Sequence, residues 1–296
     1  MPLLESNLTR SSAWVRREIL EMIARAGAGH IGGSLSCTDI LVSLYQGGIL
    51  RAKKGDLAWP DRDRFILSKG HAVEALWATL SLSGFLPPGS LASYGANGTR
   101  LGGHPDRSVP GVEVSTGSLG HGLGLGSGLA LAARHLQKDY LTYVLLGDGE
   151  CYEGSVWEAA QFAAHHKLAN LVAIVDRNRQ ITLDDTEACN RLEPFADKWS
   201  AFGWETREVN GHSFDELLKA LTAPRSPHRT KPLVVIAHTL KGKGVSFMET
   251  SVGWHHRVPK GDQLVQARRE LNLRLEAIDG ALNGGVIPAA LASFPA

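Results

Sequence analysis

The sequence predicts an α/β fold, a doubly wound and mainly parallel sheet flanked by helices. Residues 140–146 and 171–175 are short, apolar and closed by Gly or Asp, as buried parallel strands are. Between them, residues 155–167 carry Val156, Ala159, Ala160, Phe162, Ala163 and Ala164, a pattern that suits a helix packed on a sheet. The alternation then repeats, with a strand over 205–209, a helix over 215–221 and a strand over 233–239. A right-handed crossover between the first two strands brings the residues just past them, Asp148 and Asn178, to one carboxyl edge of the sheet. That edge is where α/β proteins bind ligands.

At the amino end, Ser6 or Thr9 can cap a helix that runs to Ala26, with Trp14, Ile19, Met22, Ile23 and Ala26 on an imperfect apolar face. Another helix begins at Thr38 and continues to Tyr45. Residues 117–128 are dense in glycine and lead into a helix. A dinucleotide-binding fingerprint needs glycine at i, i+2 and i+5, yet Gly120, Gly122 and Gly124 lead to Leu125, Ser127 and Leu129. The register fails each time, and two uses stay open: backbone approach to a phosphate, or close packing of the helix on a neighbour. Residues 224–232 read as a proline-bearing, basic, solvated connection. Residues 264–278 form a terminal helix, and 283–296 are a weakly specified tail. No internal repeat is detectable.

A chain of 296 residues with 43% hydrophobic and 21% charged content reads as an ordinary soluble globular protein. The net charge of +1 gives no basic field for nucleic acid, and small-molecule or protein partners are expected. The most apolar segment, 119–136, is broken by glycines and His121, so no membrane span is expected. Cys37, Cys151 and Cys189 are odd in number and widely spaced, which fits reduced thiols. With nothing resembling a signal peptide at the amino end, a cytoplasmic location is expected.

Asp148 and Asn178 are short oxygen donors, and Gln180 adds a backbone carbonyl. Mg2+ takes six oxygens in a near-octahedral array and usually only a few from protein, so these three with a diphosphate would fill it. The competing reading makes Gly147-Asp148-Gly149 a strand-end turn and Asn178 a loop residue.

The motifs as a set resemble the amino-terminal, diphosphate-binding half of a transketolase. The matching stretches are GHIGGS at 29–34, DRFILSKGHA at 63–72, GHP at 103–105 and PGVEVSTGSLGHG at 110–122. They continue with Gly147-Asp148-Gly149, Asn178, LKGKG at 240–244 and Trp254-His255. The resemblance implies thiamine diphosphate as cofactor, with Mg2+ held by Asp148, Asn178 and the Gln180 carbonyl, and Ca2+ or Mn2+ able to substitute. The cofactor-binding residues it implies are Lys69, His71, Gly117, Ser118, Leu119, Gly147, Asp148, Gly149, Glu150, Asn178, Lys241 and His255. A diphosphate carries nearly three negative charges, and magnesium, Lys241 and a helix amino terminus would together supply about +3.5. His30, His71, His104 and His255 match positions around the thiazolium and the sugar hydroxyls. There they would polarise a carbonyl oxygen or relay protons, because imidazole changes charge near neutral pH.

By the same resemblance, residues 1–262 form the diphosphate-binding module, and 263–296 a carboxyl-terminal helix and tail. The family needs a glutamate that hydrogen-bonds the aminopyrimidine, and it belongs to a second module beyond this chain. The resemblance therefore implies a split transketolase, a transferase active only with a separate pyrimidine-binding subunit. The expected assembly is a heterotetramer with two copies of each subunit, with Glu153 and Glu158 at the subunit contact. Its reaction would move a two-carbon ketol unit from a ketose to an aldose or other aldehyde, on sugar or sugar-phosphate substrates. The alternatives are the α subunit of a thiamine-dependent 2-oxo acid dehydrogenase and a non-catalytic cofactor-binding subunit. His71, His104 and the Trp254-His255 pair favour sugar chemistry. His256 departs from the family pattern, where glycine is expected.

Overall fold

The computed structural model describes residues 2–52, 56, 58–225 and 228–282. Before the sheet come α1 (Pro2–Ala26), α2 (Ile31–Ser36) and α3 (Thr38–Gln46). Then follow β1 (Arg64–Leu67), α4 (Val73–Leu82), α5 (Gly122–His135), β2 (Thr142–Gly147), α6 (Gly154–His165) and β3 (Leu171–Arg177). The chain continues through α7 (Thr186–Cys189), α8 (Phe195–Ala201), β4 (Glu205–Asn210), α9 (Phe214–Thr222), β5 (Leu233–His238) and α10 (Asp262–Leu282).

All five strands pair in parallel, in the order β1-β2-β3-β5-β4. The doubly wound sheet expected from the alternation is the one observed. β2 and β3 are wholly buried, and successive side chains alternate between two cores. Tyr143, Leu145, Val172 and Ile174 join the core built with α1, α3, α4 and α9, whereas Val144, Leu146, Ala173 and Val175 join the one built with α5, α6 and α8. α10 packs along α1. Among the described residues, no helix is long and apolar enough to cross a membrane.

The glycine-dense segment divides between its two open readings. A Cβ on Gly122 would lie 2.2 Å from Ser68 Oγ, and one on Gly126 would lie 2.4 Å from Val144 Cγ2, so these glycines let α5 press against the sheet. Gly117 lies elsewhere, in the wall of the cavity described below.

Two sequence expectations need adjustment, and one strand carries no sequence signal. α1 starts at Pro2, so Ser6 and Thr9, the expected caps, lie within the helix, and Thr9 Oγ1 donates back to Glu5 O at 2.9 Å. β1 is only four residues long, is an edge strand, and begins with the polar Arg64, too little pattern to register as a strand. The basic side chains of 224–232 are not simply solvated: Arg225 pairs with buried Asp63, and Arg229, its side chain 9% exposed, pairs with Glu205 at 3.3 Å. The tail at 283–296 lies outside the described residues.

Candidate active site

Four neighbouring strands deliver polar side chains to one edge. Lys69 follows β1, Asp148 follows β2, Asp176 lies near the end of β3 with Asn178 beyond it, and Lys241 follows β5. Parallel strands present their carboxyl ends on the same side, so residues remote in sequence meet there.

Burial sorts these charges. Asp176 and Lys69 form a fully buried ion pair, and the Lys69 ammonium also donates to Gly33 O at 3.0 Å. Ser36 Oγ donates to Asp176 Oδ2 at 2.6 Å, and Thr239 Oγ1 donates to Oδ1. Burial opposes the charge on Lys69, but the Asp176 carboxylate outweighs it and lifts the ammonium to about 12. Burial also opposes ionisation of Asp176, and Lys69 overcomes it to hold the carboxyl below its usual range. Lys69 is therefore already neutralised.

Asp148 is 2% exposed. Its Oδ1 accepts from Gly149 N at 2.8 Å, and its Oδ2 accepts from Arg179 N at 2.6 Å and Arg177 Nη1 at 3.2 Å. Burial and the nearby Asp176 charge raise its pKa, against the pull of Arg177 and the two backbone N–H groups. Asn178 Nδ2 donates to Asp176 Oδ2 at 3.2 Å, and its Oδ1 accepts from Gln180 N at 3.1 Å.

Lys241 is different. It is 1% exposed, and among the described residues its hydrogen-bond acceptors are all neutral: Gln180 O and Ile181 O at 3.1 Å each, and His255 Nδ1 at 2.7 Å. Burial, then the like charge of Lys69, pushes its ammonium down to about 8. A buried cation facing neutral acceptors is costly, and an anionic ligand would relieve it.

Lys69, Asp148, Asn178, Gln180 and Lys241 border a cavity of about 510 Å3, which Gly117, Leu119, Gly147, Gly149, Glu150 and Leu183 also line, while Asp176 and Arg177 stand behind its wall. A Cβ on Gly149 would lie 2.3 Å from Ile181 Cγ2, so glycine lets this wall close. Glu150 is buried and braces the turns around it, accepting from Ser68 Oγ, from Gly120 N at 2.9 Å and from Gly147 N at 3.0 Å.

His30, His71 and His255 line the same cavity. His71 and His255 stack with centroids 5.5 Å apart, and His30 stands edge-on to them at 5.3 and 5.8 Å. Burial, reinforced by the neighbouring cations and histidines, lowers His30 to about 4, His255 to about 3 and His71 well below its ordinary value. All three are neutral at pH 7. A lysine ammonium cannot accept, so His255 Nδ1 is the acceptor and its proton sits on Nε2.

Other expected site residues lie around this centre. His104 is exposed and outside the cavity lining, with its ring 6.2 Å from that of His30. His256 is exposed, 4.5 Å from the His30 ring, and extends the cluster to five imidazoles. Ser118 is exposed and not part of the lining. Glu153 and Glu158 are exposed at the start of α6, away from the cavity lining.

Sequence reasoning assigned no role to Asp176, Arg177 or Glu74. The first two stand within Val175-Asp176-Arg177-Asn178, where two charges at the end of an apolar strand were the available signal. Glu74 is wholly buried, and it accepts from His30 N at 3.1 Å, Ser34 Oγ at 2.7 Å and Tyr94 OH at 2.7 Å, which fixes the loop that carries His30.

The residues present fit a diphosphate-bearing cofactor held with a divalent cation. Asp148, Asn178 and the Gln180 carbonyl form an all-oxygen donor set, and among the described residues Gln180 Oε1 is buried with no hydrogen-bond partner and Lys241 has no acidic acceptor.

The family profile described as "Transketolase, thiamine diphosphate binding domain" matches residues 9–277. The chain is 46% identical over 275 residues to one subunit of an apulose-4-phosphate transketolase from Phocaeicola vulgatus, covering 91% of this chain and 95% of that protein. It is 40% identical over 246 residues to one subunit of a 6-deoxy-6-sulfo-D-fructose transketolase from a Clostridium species, covering 82% of this chain and 88% of that one. Among solved structures, transketolase from Leishmania mexicana superposes with a TM-score of 0.82 at 26% identity, over 94% of this chain and 46% of the other. The chain thus spans under half the length of that solved relative. With its motifs, its sheet and nearly all of its described length accounted for in this way, the chain belongs to the transketolase family, as a counterpart of that family's thiamine diphosphate-binding domain.

Proposed function

We propose that the chain is the diphosphate-binding subunit of a Mg2+-dependent transketolase that moves a two-carbon ketol unit from a ketose to an aldose or other aldehyde. The observation that supports this most directly is the convergence, in one cavity, of the acid-unpartnered Lys241, three oxygen donors at strand ends and three neutral histidines. When bound, thiamine diphosphate supplies a thiazolium that stabilises negative charge on the transferred carbon.

Asp148, Asn178 and the Gln180 carbonyl hold the cation, for which Ca2+ or Mn2+ can stand in. Lys241 meets the diphosphate charge, while Lys69, neutralised by Asp176, holds the ends of β1 and β3 together. Gly117, Ser118, Leu119, Gly147, Gly149 and Glu150 shape the cofactor's surroundings. The neutral imidazoles of His30 and His71 can pass a proton from a substrate hydroxyl, and His255, protonated on Nε2, has a donor for an oxygen that gains charge. His104, at the exposed side of the cluster, takes the sugar hydroxyls.

Residues 1–262 act as the diphosphate-binding module, with α10 and the residues beyond it appended. A pyrimidine-binding partner completes the site, in a cytoplasmic heterotetramer with two copies of each subunit, and Glu153 and Glu158 meet that partner. The relatives named as subunits, matched nearly end to end, support this division. Their names point to sugar phosphates or modified sugars as substrates.

The chain alone is expected to show no two-carbon transfer from a ketose donor, and mixing it with the partner subunit should restore it. Strong turnover by the rigorously purified chain would sink the split-site reading. His104→Ala in the assembled enzyme should lower transfer about a hundredfold or more with cofactor affinity nearly intact, the scale of one lost acid–base or oxyanion contact. His255→Ala should lower transfer similarly, with a change in cofactor affinity of within about tenfold, because Lys241 loses an acceptor. A parallel fall in melting temperature, affinity and rate would instead mark either histidine as structural.

A further inference from the structure

Arg177 ends β3 with a wholly buried side chain, a rare place for a guanidinium. Its Nη1 donates to Asp148 Oδ2 at 3.2 Å and to Thr186 Oγ1 at 2.7 Å. Its Nη2 donates to Glu187 Oε1 at 2.8 Å and Glu193 Oε1 at 2.9 Å, and the group lies over the Phe195 ring at 5.5 Å. Glu187 and Glu193 are partly exposed and do not line the cavity, so they anchor one end of the guanidinium while the other covers Asp148.

Two consequences follow for the cavity. An ionised carboxylate offers about four lone-pair positions, and Gly149 N, Arg179 N and Arg177 Nη1 occupy three on Asp148, which leaves one. The lining charges are met from behind the wall, Lys69 by Asp176 and Asp148 by Arg177, whose guanidinium Glu187 and Glu193 also hold. Lys241 is left with neutral acceptors, and the Glu150 oxygens are engaged by Ser68, Gly120 and Gly147. A bare dication arriving at Asp148 meets the positive charges of Arg177 and Lys241. One that arrives with a diphosphate brings the compensating anion with it.

We propose that Arg177 is a specificity-determining residue that prevents a divalent cation from binding at Asp148 by itself, so that the cation is held only together with a diphosphate. The inference rests on the cofactor reading above. It gives Arg177 a function that a purely structural arginine would lack, because removing its charge increases affinity for one ligand.

The test is titration of the full chain with Mn2+ in the absence of thiamine diphosphate, read from the paramagnetic signal of the free ion. Arg177→Gln keeps a hydrogen-bond donor for Asp148 and removes the charge, and Arg177→Met removes both. Each should bind Mn2+ about tenfold or more tightly than wild type, while Arg177→Lys should stay within about threefold of it. Adding Asp148→Ala to Arg177→Gln should abolish the gain while the variant still unfolds cooperatively on heating, which separates loss of the cation ligand from loss of the fold. Affinities of both neutral variants within about twofold of wild type overturn the inference. So does a gain that survives Asp148→Ala, because it would lie in the released Glu187 and Glu193. In parallel, wild type assembled with its partner subunit is tested for retention of thiamine diphosphate and Mn2+. No retention overturns the cofactor reading itself, whereas retention alongside unresponsive Arg177 variants overturns the Arg177 assignment alone.

Discussion

Asp148→Asn is expected to weaken thiamine diphosphate binding in Mg2+ about a hundredfold or more, since it removes the charged cation ligand and keeps the side chain's shape. The asparagine oxygen can still accept from Arg179 N or Arg177, so the fold should survive. Asp148→Ala is harsher. It leaves the Arg177 guanidinium without one of its buried acceptors and orphans the N–H groups of Gly149 and Arg179, a loss of about 3–5 kcal/mol for a broken buried pair. Calorimetry and thermal unfolding on both variants, with the partner subunit present, separate ligand loss from damage to the fold. Undiminished affinity in Asp148→Asn would remove Asp148 from the cation.

Lys241→Met should move stability and binding in opposite directions. Burial holds the Lys241 ammonium at about 8, against an ordinary 10.5. Below pH 8 both folded and unfolded chains carry the proton, and the cost of burying it, roughly 3 kcal/mol, is fully present. Between those two values the unfolded chain binds more protons than the folded one, so the cofactor-free protein should gain stability as pH rises through that window. Methionine abolishes the cost at every pH, so the cofactor-free variant should melt several degrees higher at pH 7 and lose the pH dependence. Its affinity for thiamine diphosphate should fall about a hundredfold, because the buried cation that faces the diphosphate is gone. A lower melting temperature combined with unchanged affinity would place Lys241 in the fold rather than the site.

Much of this architecture is legible in the sequence. β2, α6, β3, α9 and β5 announce themselves through short apolar runs, apolar faces at helical spacing and polar residues at the strand ends, whereas β4, an edge strand with Val209 as its one apolar residue, follows from the alternation around it. β1 is hidden because four residues on a sheet edge carry too little pattern, although it lies within DRFILSKGHA, one of the stretches that carry the family resemblance. The glycine-dense segment was ambiguous for a different reason. Gly117 and Gly126 are alike in the sequence, but one borders a cavity and the other lies under Val144, and only the path of α5 over the sheet separates them.

Asp148, Asn178 and Lys241 could be placed at one edge from the sequence because the position is local: each follows a strand, and parallel strands of fixed crossover handedness end on the same side. The partners of the charges there are not local. Ser68-Lys69-Gly70 and Leu240-Lys241-Gly242 are equivalent as text, yet Lys69 is neutralised by Asp176 and Lys241 faces carbonyls and an imidazole. The same holds for Arg177, whose place against Asp148 requires β2 and β3 to be neighbours and the 186–193 segment to fold back over their ends. Thus sequence alone determined the fold, the edge and the kinds of side chain gathered there. Tertiary structure decided which charges are compensated and which remain available to a ligand, because buried charges interact strongly only at contact distance, and packing sets those distances.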